Sequence, residues 1–188
     1  GLAAISGMGH KAVQAILEDR ERNLWVGTRV GGLNRVKAGK LTTLRIVDEA
    51  TEVKPMSLAE APGGVFWVGT SGRGLYRIGG GTAIQISLDH PQMYVHAIAA
   101  TDDGSIWGGR SDSLCQWKDG KLLGSYGAES WLRGDVVECL CEDRRGGLWV
   151  GSGMGYALCD FFGNDGRFAV VVRVARSATT AAVDVDGL

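Results

Sequence analysis

The chain has 188 residues, 45% of them apolar, with 20 Lys and Arg against 21 Asp and Glu. That size and apolar content allow a sizeable core and argue against a disordered tail, while balanced charge without long runs of one sign argues against a nucleic-acid partner. Thirty glycines beside only three prolines fit many tight turns between short strands better than a low-complexity linker.

Residues 1 to 10 read as an outer strand of a preceding unit. The first complete unit then opens with "VQAILED" from Val13, whose alternation marks a strand. A polar turn, "DRERN", leads to "LWVGT" with Trp25 and, two residues on, Gly27. A loop, a third strand "GLNRV", the turn "KAGK" and a fourth strand "LTTLRI" complete it. The same order recurs three times. "MSLAEA", "APGG", "VFWVGT", "GLYRI" and "GGGT" form the second unit around Trp67 and Gly69. "VHAIAATDD", "SIWGGR", "SLCQWK", "KDGK" and "LLGSY" form the third around Trp107 and Gly109. "VECLCEDRR", "GLWVGS" and "GNDGR" form the fourth around Trp149 and Gly151. The tryptophans are spaced by 42, 40 and 42 residues, the length of a propeller blade. Four strands and three reversals per unit describe one antiparallel meander.

The fold expected is therefore an all-β propeller of four complete four-stranded blades, at about 11–49, 53–90, 93–128 and 135–175. Residues 176–188 read as a partial fifth blade ("AAVDVDGL"). The partial units at both ends favour a piece of a larger ring over a closed ring of fewer blades. An indole buries about 150–250 Å², so one per blade supplies a large share of each inter-blade contact. The glycine two residues later, on the same strand face, leaves room beside the ring. Trp117 reads as a packing residue in the place of an arginine on the third strand. Cys139 and Cys141 share one strand face and read as buried small hydrophobes. Their spacing does not select a bridge to Cys159. Zinc spacing is missing, so no metal is expected. No cofactor motif is present either, and "FAVVVRVA" from Phe168 is too short for a membrane span.

"VQAILEDRERNLWVGTRVGGLNRV" and "VECLCEDRRGGLWVGSGMG" resemble the two-component regulator propeller repeat: a β-branched strand, an acidic-basic turn, then "LWVGT" and "GGL". The resemblance covers about residues 13 to 168. It departs in the third unit, where Gly108 replaces valine and "SDSL" stands for "GGL". It implies a seven-bladed ring, which at this period needs about 290 residues and of which the chain would be a fragment, and a periplasmic or otherwise extracytoplasmic ligand-sensing domain of a hybrid sensor kinase, in many members for carbohydrates, with further blades and signalling domains as its partners.

A meander puts the loops between second and third strands at the same end as the connections to the next unit, and a ligand is expected on that rim. The candidates are Arg29, Arg73, Arg110 and Asp112 from the loops, and Tyr94, Trp131 and Arg133 from the connections. Aromatic faces there can stack on sugars, and arginines can fork to hydroxyls, carboxylates or sulfates. The acidic pairs Glu18 with Asp19 and Glu142 with Asp143 read as turn chemistry on the opposite rim. His10, His90 and His96 form no cluster with carboxylates or a nucleophile at matched repeat positions, so no catalytic residue is assigned. A non-enzymatic sensing module is expected; a propeller enzyme of lyase or glycosidase type and a protein-interaction scaffold are the alternatives.

Overall fold

The computed structural model describes residues 12–44, 46–48, 51–80, 82–86, 93–127, 136–144, 146–152, 155–162, 167–175 and 183–184. They divide into two compact units, residues 1–95 and 96–188. In the first unit, β1 (Val13–Glu18), β2 (Leu24–Thr28), β3 (Leu33–Lys37) and β4 (Lys40–Leu44) form one antiparallel sheet in sequence order. A two-stranded ribbon of β5 (Val47–Asp48) and β6 (Thr51–Glu52) follows. A second sheet is built from β7 (Pro55–Ala61), β8 (Val65–Thr70), β9 (Leu75–Gly79) and β10 (Thr82–Gln85).

The second unit repeats the pattern. Its first sheet holds β11 (Ala97–Ala100), β12 (Ile106–Gly109), β13 (Leu114–Lys118) and β14 (Lys121–Tyr126). The other holds β15 (Val137–Glu142), β16 (Leu148–Ser152), β17 (Gly155–Phe162) and β18 (Arg167–Ala175). The stretch expected to open a fifth blade supplies β19 (Val183–Asp184), which pairs with β18 at the edge of this same sheet. The residues expected to close a preceding blade, 1 to 10, lie outside the described residues. The chain is thus all-β, with four meanders that match propeller blades.

Turn chemistry explains why each meander reverses where it does. Ala38 and Gly39 (φ 47° and 77°) and Asp119 and Gly120 (φ 50° and 76°) join third and fourth strands. These two-residue turns have positive φ at both positions, matching the twist of the flanking strands.

Within each unit the period of two gives every blade two faces. Trp25 on β2 meets Phe66 on β8 at 4.5 Å between ring centroids. Around that pair lies a core of Leu33, Ile46, Val53, Val68, Tyr76 and Ile78. In the second unit Trp107 packs with Leu114, Val137, Leu148 and Val150, and lies 6.0 Å from the Tyr126 ring. The tryptophan of one blade therefore meets the residues flanking the next blade's tryptophan position. Trp25, Trp67 and Trp107 are 8%, 6% and 3% exposed.

Trp149 departs from this. Its flanking residues Leu148 and Val150 enter the core with Trp107, which turns its indole to the other side of the sheet, where it is 36% exposed. Cys139 and Cys141 pair across from Gly151 and Trp149 and are exposed free thiols, which corrects their expected burial. The cause is shared: alternation sends all three to the face turned away from the Trp107 core.

The repeated glycines have a steric origin different from the one expected. A Cβ on Gly27 would lie 3.0 Å from the Pro55 side chain; on Gly69 it would collide with Ser57 and Val95; on Gly109 with the Val137 side chain. Gly27 and Gly109 thus make room for the chain that leads into the following blade, and Gly69 for that chain and for Ser57 on the first strand of its own blade. Gly151 is buried, opposite Cys139 and Tyr156. Strand register also corrects Trp117. Gln116 pairs with Trp107 as Arg35 pairs with Trp25 and Arg77 with Trp67, so Gln116 holds the arginine's place. Trp117 corresponds to Val36 and Ile78, and is fully buried.

Candidate functional site

The first strands of the first, second and fourth blades are interrupted near their starts. Register slips by one residue between Val13 and Ala15, between Pro55 and Ser57, and between Val137 and Cys139. The extra residues of these bulges are Gln14, Met56 and Glu138, each eleven positions before its tryptophan. His96 stands at the same distance from Trp107, and its backbone N–H donates to the Gly109 carbonyl at 2.8 Å. A bulge leaves one residue outside the ladder and re-aims its side chain. His96 and Glu138 are therefore matched repeat positions in neighbouring blades of the second unit. The signal was in the sequence, as an offset from the tryptophan.

Around His96 the second unit assembles a polar cluster. His96 Nε2 lies 3.1 Å from Ser111 Oγ. Burial, the larger influence, pushes the imidazole pKa down, and the Glu138 carboxylate opposes it. Ser111 sits in the loop between β12 and β13 with two predicted residues, Arg110 and Asp112. The loop is closed by the Arg110 N–H to the Ser113 carbonyl at 2.8 Å, and tied to the next blade by the Val137 N–H to the Arg110 carbonyl at 3.0 Å. Arg110 Nε is 3.9 Å from Asp112 Oδ1, and its Nη1 lies 3.9 Å from Cys115 Sγ. Its guanidinium is thereby held against the blade rather than free in solvent.

In the first unit, the ring of Tyr94 lies against Gly72, beside Arg73, so connection and loop meet there as expected. The loop is fixed by the Ser71 N–H to the Lys54 carbonyl at 3.0 Å and the Gly74 N–H to the Met93 carbonyl at 2.8 Å. Arg29 is exposed, and its backbone N–H donates to the Ala12 carbonyl at 3.0 Å. Trp131 and Arg133 lie outside the described residues.

The opposite end of the first unit has a cleft of about 340 Å³ between its two blades, lined in part by Asp19, Glu21, Trp25, Arg35, Glu60 and Phe66. Its polar groups are engaged within the first blade and, at Glu60, between the two blades. Asp19 accepts from Trp25 Nε1 at 2.8 Å and from the Asn23 backbone and amide, both at 2.7 Å. Burial raises the Asp19 pKa, but these bonds outweigh it and hold the carboxyl below the usual range. Arg35 stacks over the Trp25 ring at 5.5 Å, and Glu60 accepts the Arg20 N–H at 2.9 Å.

Among the described residues no three metal-ligating side chains stand together, and no helix is long and apolar enough to cross a membrane.

Two segments, residues 7–29 and 132–154, match the family model described as two component regulator propeller. Among curated proteins no sequence matches the chain. Solved structures do. The extracellular domain of BT3049 from B. thetaiotaomicron, assigned as a hybrid two component system, is similar with a TM-score of 0.72 and 20% identity, over 89% of this chain and 24% of that one. A catalytically inactive histidine-to-alanine variant of virginiamycin B lyase from Staphylococcus aureus, solved with quinupristin, gives 0.71 and 16% over 89% and 57%. The gluconolactonase XC5397 from Xanthomonas campestris gives 0.62 and 19% over 83% and 60%. The chain spans just under a quarter of the length of the two-component structures it matches.

The chain resembles the propellers of two-component sensors, and its fold is shared equally with propeller enzymes. The expectation that it is not an enzyme is corrected by that finding. An architecture common to a lyase and a gluconolactonase does not define a non-catalytic module.

Proposed function

We propose that the chain is a ligand-recognition segment of an extracytoplasmic sensor propeller. Its ligand would meet the rim formed by the loops between second and third strands and the inter-blade connections. Blade limits near 11–49, 53–90, 93–128 and 135–175 belong to this reading, as does closure into a larger ring with blades from outside this sequence. The single observation that carries it is the polar cluster of the second unit, where Arg110, Ser111, Asp112, His96 and Glu138 come from three separate elements. Such a set offers a fixed guanidinium, two carboxylates and a hydroxyl, which suits a hydroxyl-rich or carboxylate-bearing organic ligand such as an acidic oligosaccharide. The two family segments support the signalling context, and the extracellular origin of the two-component structures supports an extracytoplasmic location.

The test is a glycan array probed with the chain and with Arg110→Ala. Binding to acidic glycans that falls at least tenfold in the variant is expected. Equal binding by both proteins, or none by either, would overturn the proposed ligand class.

A further inference from the structure

The second unit also holds the parts of an acyl-transfer centre. Ser111 is exposed on its loop, and that loop is pinned at both ends by the backbone bonds at Arg110. The His96 backbone is bonded to Gly109, two residues before the serine, so imidazole and hydroxyl are presented by adjoining strand ends and not by wandering side chains. With the imidazole proton on Nδ1, Nε2 is the acceptor for the Ser111 hydroxyl across 3.1 Å, within reach for proton transfer. Glu138, at the matched bulge of the neighbouring blade, supplies a carboxylate that favours the imidazolium formed when the serine proton arrives. Arg110, immediately before the serine, is the cation nearest in sequence to a developing oxyanion. Nucleophile and base thus come from a loop and the entry to a first strand, with a carboxylate at the matched position of the neighbouring blade, roles that recur in such centres on unrelated folds.

We propose that Ser111 is a nucleophile activated by His96 and supported by Glu138, and that this rim cleaves carboxylic esters. The serine oxygen bonds to the carbonyl carbon while its proton passes to His96 Nε2. The tetrahedral adduct collapses by breaking the bond to the alkoxy oxygen, which leaves with the proton from Nε2. Water then attacks the acyl-serine, gives one proton to Nε2, and releases the carboxylic acid as Ser111 regains that proton. No oxidant, reductant or metal enters the balance. This activity does not depend on the sensing reading, since a receptor that binds glycans and a chain that acylates its serine are measured separately.

The experiment uses the 188-residue chain, a fluorophosphonate probe and p-nitrophenyl acetate. Trypsin cleaving after Arg110 and Lys118 isolates the peptide SDSLCQWK, in which Ser113 is buried and Ser111 exposed. Phosphonylation at Ser111, its loss in Ser111→Ala and labelling slowed at least tenfold in His96→Gln are expected. Glu138→Gln, at an exposed position, should slow labelling severalfold with unchanged circular dichroism, which keeps the test valid if His96→Gln folds poorly. A burst of about one equivalent of p-nitrophenol should accompany an acetyl group on the same peptide. No labelling, labelling that survives Ser111→Ala, or ester turnover without an acyl-serine would each overturn the proposal.

Discussion

Arg22 stands three residues before its tryptophan, where the other units carry Gly64, Gly104 and Gly146, and all four have positive φ, between 65° and 85°. The position closes the first reversal of each blade: its N–H donates to the residue three before it, at 2.9 to 3.2 Å. A side chain in that left-handed conformation costs roughly 1–2 kcal/mol. The exposed Arg22–Glu18 pair at 2.7 Å offsets little of it. Arg22→Gly is therefore expected to stabilise the chain by about 1 kcal/mol in urea unfolding. Asp103 gives a second expectation, in pH. Burial raises its pKa, but hydrogen bonds from Thr101 and Ser105 and the Lys118 ammonium at 3.3 Å bring it to about 2. A carboxyl whose folded pKa lies below its unfolded value contributes stability above about pH 4 and loses it as pH falls toward 2. Asp103→Asn should flatten the fall of Tm between pH 4 and pH 2, measured against the parent.

At the scale of the strand, the second strand of each blade carries two demands, an indole on one side and no side chain two residues later. The clash at Gly109 is with the Val137 side chain, held by its own backbone bond, whereas the Gly27 approach is a single 3.0 Å contact with Pro55. Gly109→Ala should cost about 1–3 kcal/mol in denaturant unfolding, and Gly27→Ala distinctly less. The tryptophans should rank by burial as well. Trp107→Ala removes a buried ring and should cost about 3–5 kcal/mol, while Trp149→Ala, at 36% exposure, should cost less than half of that. Period and alternation made the tryptophan face legible before any coordinates. Which face had a cover was not legible, because cover depends on the neighbouring sheet and alternation describes one strand alone. The same reason separates the expected and observed roles of the glycines, whose constraint comes from the chain entering the next blade.

Across each whole unit the blades are clasped at one rim. Glu60 accepts the Arg20 N–H at 2.9 Å, and Glu142 accepts the Asp102 N–H, also at 2.9 Å, in both cases across 40 residues. Glu18, Glu60 and Glu142 share a strand position that holds Ala100 in the third blade. What the sequence presented as turn chemistry at Glu142 is thus a link between sheets, whereas Asp19 and Asp143 do accept bonds within their turns. Burial raises the Glu142 pKa, the Asp102 N–H lowers it, and the charges of Asp102, Asp103 and Asp143 raise it further. A carboxyl shifted upward opposes folding once pH exceeds its unfolded value. Glu142→Gln, which keeps an acceptor for Asp102 without the charge, should raise Tm at pH 7 and have no effect near pH 3. The blade count was readable from spacings of 42, 40 and 42 because the whole blade repeats. The His96–Ser111 pair was not, because it joins the entry to a strand with a loop, and neither residue type recurs at its position in all four units.

The residue eleven positions before each tryptophan has a consequence for how such a chain can change. Gln14, Met56, His96 and Glu138 are an amide, a thioether, an imidazole and a carboxylate, held at one position at the head of the first strand in four blades. Selection can therefore rewrite one letter per blade, at fixed intervals, without disturbing the layers that hold the blades together. New chemistry on this scaffold is a matter of substitution alone, with no insertion or refolding required.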